Sequence, residues 1–138
     1  MAGGSDGANR LSSVERFDPT SNAWESLPPM VTKRSWCAAA VIDGKLYVAG
    51  GSDGPNYLNS VERFDPTSNA WEPLPPMATK RARCAAAVID GKLYVASGHD
   101  GANWLNSVER FDPTSNAWES LPPMVTKRVY LALCAAAW

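Results

Sequence analysis

A thirteen-residue word occurs twice in this chain, at Cys37–Ala49 and again at Cys84–Ala96. Each copy sets two apolar runs around an Asp-Gly pair, Asp43-Gly44 or Asp90-Gly91. Asp-Gly between apolar runs is a strong hairpin signal, because a type I′ turn needs positive φ at both central residues. The repetition extends well beyond the word. Leu11–Tyr57 and Leu58–Trp104 are identical at 38 of 47 positions, and Leu105–Arg128 repeats Leu11–Arg34 with one change, Asn106 for Ser12. A chain built this way folds as an array of one supersecondary unit.

Each full unit reads as four short strands: Trp36 to Ile42, Lys45 to Ala49, about Ser60 to Phe64, and Ala70 to Leu74. The loop Gly50-Gly51-Ser52-Asp53-Gly54-Pro55-Asn56 and the turn Asp65-Pro66-Thr67-Ser68-Asn69 separate them. Three alanines between a turn and a β-branched pair cannot nucleate a helix. The expected class is all-β, with four-stranded antiparallel blades. The boundaries are a blade part over residues 1–34, blades over 35–77 and 82–124, and a C-terminal strand over 129–138.

Composition narrows the function classes. Apolar residues make up 45% of 138, enough for a packed core, and the net charge of −1 carries no basic run. Nucleic acid and membrane are not expected partners. The three cysteines fall one per unit in the same Cys-Ala-Ala-Ala word. They read as small buried residues in a reducing compartment, the cytoplasm or nucleus, and not as a disulfide framework or metal site. His99 is the lone histidine, so no catalytic pair, metal or cofactor is expected and the chain is not read as an enzyme.

Several motifs carry a resemblance. The second strand ends Leu46-Tyr47-Val48-Ala49-Gly50-Gly51, the third ends Phe64-Asp65-Pro66, Trp71 follows, and the unit closes on Pro-Pro-Met. This pattern resembles the kelch repeat, from Gly3 to Arg128. The resemblance implies a β-propeller segment of about three blades, too few to close a ring. Ser97 departs from the pattern by replacing the first glycine of its pair. Trp24, Trp71 and Trp118 are expected in the core, and Glu62-Arg63 with its copies between blades.

The units differ mainly in two windows, just after Thr-Lys-Arg and along the glycine loop to the third strand. In a propeller blade these share one rim, and a scaffold held constant under a varying rim is how a binding face acquires specificity. Trp36 and Arg83 occupy the first window. In substrate-binding kelch proteins, an Arg-Ser pair opening the innermost strand lines the pocket. The residue after the double glycine and an aromatic five positions later line it too. On this chain the resemblance implies Arg34 with Ser35, Arg81, Arg128, Ser52 with Tyr57, His99 with Trp104, and Ser5 with Arg10. The arginines would offer forked donors to carboxylates, or pair with Asp53 and Asp100 nearby.

The expected function is therefore binding of a protein or peptide partner with acidic residues on an Arg/aromatic rim. By resemblance, this is the role of the substrate-recognition domains of kelch-like ubiquitin-ligase adaptors and of actin-binding kelch proteins. Such adaptors carry a BTB region, which this sequence lacks, so it is expected to recognise a target without recruiting a cullin. The alternative is a designed or recently duplicated repeat whose role is structural, with two arcs associating into a homodimeric six-bladed ring.

Overall fold

A computed structural model describes residues 1–127. The expected C-terminal strand over 129–138 and the site residue Arg128 lie outside the described residues. Ten strands form, with no helix among the described residues: β1 (Val14–Asp18), β2 (Ala23–Leu27), β3 (Ala38–Ile42), β4 (Lys45–Ala49), β5 (Val61–Asp65), β6 (Ala70–Leu74), β7 (Ala85–Ile89), β8 (Lys92–Ala96), β9 (Val108–Asp112) and β10 (Ala117–Leu121). They make antiparallel meanders: a two-stranded sheet β1-β2 and four-stranded sheets β3-β4-β5-β6 and β7-β8-β9-β10.

The turns form as their chemistry requires. Asp43 and Gly44 have φ of 49° and 74°, and Asp90 and Gly91 have 51° and 71°. Positive φ at both central residues matches the twist of the flanking strands. Ile42 is thereby set opposite Lys45, and Ala38 opposite Ala49. Every side chain of the two inner strands takes its face from that register.

The sheets stack, with β3 against β7 and β8. Tyr47, Val61, Met77, Leu93, Val95 and Phe111 fill the space between the second and third blades. Val14, Met30 and Val48, with Leu46 and Trp71 against them, fill the space between the first and second. The outer tryptophans reach across to the preceding blade. Trp71 Nε1 donates to the Pro28 carbonyl, and Trp118 Nε1 to the Pro75 carbonyl, each at 2.7 Å.

Trp24 corrects the expectation that all three tryptophans are core. It is 58% exposed, because no preceding blade covers its face among the described residues. The Glu62-Arg63 expectation also divides. Glu62 does join blades, whereas Arg63 pairs with Glu72 directly opposite on β6, inside one blade.

The double glycine marks where one blade's backbone meets the next blade's linker. Gly50 sits at φ +66°, and a Cβ there would lie 2.2 Å from the Arg81 carbonyl oxygen. Gly3 repeats the arrangement against Arg34 at 2.3 Å. Ser97, at the equivalent position, also holds a left-handed φ of 63° and is fully buried. Its hydroxyl donates to the Leu105 carbonyl at 2.9 Å.

Cys84 is buried and Cys37 half-buried, both free. Burial pushes the Cys84 thiol up to about 12, and also raises Cys37.

Two outcomes follow. Gly50→Ser should lower the melting temperature by several degrees in a thermal scan, since backbone on both sides must shift to admit the Cβ. In a Cys134→Ser background at pH 8, Cys37 should react with a thiol reagent about tenfold or more faster than Cys84, read by mass spectrometry, because the thiolate is the reactive form.

Candidate functional site: the loop rim

The linker arginines come first, because they set the rim's geometry. Arg34 is 0% exposed and all five of its guanidinium N–H donors are occupied. Nε and Nη2 donate to Glu62 Oε2 at 3.0 and 2.9 Å. Nη1 donates to the carbonyls of Gly50 and Ser60, and Nη2 also to the Ser60 hydroxyl. Glu62 in turn accepts the backbone N–H groups of Val31 and Thr32. Arg81 repeats the arrangement with Glu109, Ser97 and Ser107.

This corrects the reading of Arg34 and Arg81 as carboxylate hooks for a partner, or as partners of Asp53 and Asp100. Their charge is already spent on a glutamate of the following blade, away from solvent. Asp100 is instead held by the backbone N–H groups of Asn103 and Ala102, which keep its carboxyl below the usual range.

The same arginines bolt neighbouring blades together. Arg34 N–H donates to the Leu11 carbonyl, and its own carbonyl accepts from Gly4 N–H. The backbone thus belongs to the first blade and the side chain to the second. With the linker pinned, the next residues pair with the glycine loop. Ser35 and Ser52 exchange both backbone hydrogen bonds, at 2.9 and 2.8 Å, and Ser52 bridges Tyr57. One unit on, Ala82 pairs with His99 and His99 with Trp104; in the first unit Ser5 pairs with Arg10.

Each of these short ladders runs through the positions at which the units differ. Ser35 and Ser52 are buried members; Ser5 is exposed. Ser5 and Ser52 hydroxyls accept the N–H of Gly7 and Gly54. In the third unit His99 Nδ1 takes that part, accepting Gly101 N–H at 3.0 Å. The imidazole therefore preserves the turn and, when neutral, carries its proton on Nε2.

Two surface features result. Tyr57, Ala82, Arg83, His99 and Trp104 line a cleft of about 140 Å³. In it His99 lies edge-on to both Trp104 and Tyr57, with centroids 4.9 and 5.6 Å apart. Beside it, the guanidinium carbons of Arg83 and Arg10 stand 4.3 and 4.8 Å from the Trp36 ring centre. Trp36 and Arg83 both adopt left-handed backbone, φ 57° and 58°, and Arg83 N–H donates to the Trp36 carbonyl at 2.8 Å. Non-glycine residues held there cost energy that the surrounding structure must overcome, and such residues cluster at functional sites. The sequence carries no direct sign of this backbone state. The recurrence of Glu62 and Glu109 behind Arg34 and Arg81 at the same spacing does signal the buried pairs.

A stack of four-stranded antiparallel blades joined along one loop rim defines a β-propeller segment. Comparison with known proteins supplies the family. The KLHDC2/KLHL20/DRC7 Kelch-repeats domain matches residues 1–134, and the chain belongs to the kelch-repeat family. It is 50% identical over 46 residues to mouse and human Kelch-like protein 35, covering 33% of this chain and 8% of each relative. It is 38% identical over 48 residues to bovine Kelch-like protein 21, covering 35% of this chain and again 8% of the relative. The chain thus spans under a tenth of the length of these relatives. Among solved structures, that of YjhT superposes with a TM-score of 0.75 at 19% identity, covering 90% of this chain and 51% of that one. That likeness concerns the fold.

Removing one partner of a buried, fully hydrogen-bonded ion pair costs about 3–5 kcal/mol. Arg34→Met should therefore show a loss of that order in urea unfolding at constant m-value, and Glu62→Gln a comparable one.

Proposed function

We propose that this kelch-repeat segment is a binding module whose loop rim holds an acidic stretch of a protein partner. One observation carries the reading: most of the positions at which otherwise identical units differ fall in the two loop windows that ladder together along one rim. Kelch-repeat domains are in general protein–protein interaction modules, which supports the coarser part of it. The finer part rests on the chemistry of the rim. Aromatic and arginine side chains are the types that dominate interface energetics.

Arg10 and Arg83 supply the cationic contacts that Arg34 and Arg81 do not. Their guanidinium planes stand over Trp36 on the rim, where a partner's carboxylates would meet them. The Tyr57–His99–Trp104 cleft takes an apolar or aromatic side chain beside the acidic one. The kelch-like adaptors that the sequence resembles suggest target recognition as the biological setting.

The test is a displayed peptide library panned against the intact chain, followed by affinity measurement on the selected sequences. Selected peptides should be rich in Asp and Glu next to an aromatic residue. Arg10→Ala and Arg83→Ala should each weaken them about 5–30-fold, and binding should weaken further with added salt. Selection of basic or charge-free peptides, indifferent to both substitutions, would reject the acidic-partner reading.

A further inference from the structure

The glycine loop makes the same turn in each unit, but the acceptor that closes it differs. In the first two units a serine hydroxyl accepts the N–H of the glycine two residues on, Ser5 from Gly7 and Ser52 from Gly54, each at 3.2 Å. In the third, His99 Nδ1 accepts from Gly101 at 3.0 Å. A hydroxyl accepts such a bond at any ordinary pH. An imidazole nitrogen accepts it only while that nitrogen lacks a proton. An unperturbed imidazole changes charge between about pH 5 and 8.

The His99 ring does a second thing that the serines do not. It is half-buried in the gap between Tyr57 and Trp104, its centroid 5.6 and 4.9 Å from theirs. Gly101, at the tip of the turn, lies against Tyr57: a Cβ there would sit 3.7 Å from Tyr57 Cδ2. One hydrogen bond thus ties the ring in the gap to a tip that rests on the preceding unit. The surrounding backbone is held by other means. His99 exchanges both main-chain hydrogen bonds with Ala82, and the Asp100 carboxylate accepts the N–H groups of Ala102 and Asn103. Those N–H groups keep the Asp100 carboxyl below its usual range, so it stays ionised while an imidazole titrates.

We propose that His99 is a proton-operated latch on the rim: neutral, it bonds Gly101 and fills the gap between Tyr57 and Trp104; protonated, it releases Gly101 and swings out, opening the gap. A proton on Nδ1 sets two donors face to face where the bond had been, and neither can then be satisfied in place. Among the described residues, the charged or titratable groups set against the ring are Arg83 and Tyr57 across the cleft and Asp100 beside it in the chain. Arg83 repels an imidazolium held in the cleft. Asp100 attracts it, but as the next residue it stays near the ring in either position. Water on the rim accepts the new N–H once the ring has turned outward. The turn bond is therefore present above the imidazole's titration and lost as pH falls through it. The latch rests on this chain's own geometry and not on the acidic-partner reading.

The test is nuclear magnetic resonance on the intact, isotope-labelled chain from about pH 8 to about pH 5. The Gly101 amide should shift along the same curve as the His99 ring protons, while the Gly7 and Gly54 amides follow no such curve. Through-space contacts from the His99 ring to Tyr57 and Trp104 should be present at the upper pH and lost at the lower. His99→Ser restores the chemistry of Ser52, so its turn should form and its Gly101 amide should cease to titrate. Over the same range the wild type should lose about 2–4 °C more in melting temperature than His99→Ser, the effect of one hydrogen bond. Ring contacts that persist around a charged imidazole, a Gly101 amide that ignores the His99 titration, or an imidazole still neutral at the lower pH would each overturn the latch.

Discussion

A buried arginine–glutamate pair between consecutive blades is the constraint on which this arc depends. Arg34 lends its backbone to the first blade and its side chain to the second, and Arg81 does the same one unit on. Taking a guanidinium fully out of water is costly unless every donor finds an acceptor. Both arginines meet that condition, with one carboxylate, two carbonyls and one hydroxyl each. The apolar contacts between blades are non-directional. The forked pairs are directional, and they set where each linker crosses onto the next sheet.

Rim geometry follows from that crossing. Once the linker is pinned, Ser35 and Ala82 have no choice but to ladder with Ser52 and His99, and these with Tyr57 and Trp104. The next residues, Trp36 and Arg83, are turned into left-handed backbone and stack together. Variation in the rim therefore changes chemistry and leaves the path of the chain alone. His99 shows how far this goes: an imidazole nitrogen replaces a serine hydroxyl in the same turn hydrogen bond.

Much of this was legible in the residues. The Asp-Gly turns, the four-strand unit, the kelch pattern and the clustering of differences in two windows all come from spacing and identity within one chain. What misled was the arginine. Arg34 and Arg81 look like rim donors because they adjoin variable residues, but they are the same in each unit, and so are Glu62 and Glu109. Residues that never vary between units served the scaffold; Arg10 and Arg83, at positions that do vary, are the ones on the rim.

By itself the sequence determined the strands, the turns and the order in which they meander, because each rests on contacts between near neighbours: positive φ at Asp43-Gly44, an apolar run on either side, a proline after Asp65. Tertiary structure alone decided which charges are buried, because Arg34 and Glu62 stand 28 residues apart and meet only after two sheets have stacked. It also decided that three equivalent tryptophans are not equivalent. Trp71 and Trp118 each find a proline carbonyl on the blade before them, and Trp24 looks out over a groove where no such blade stands among the described residues.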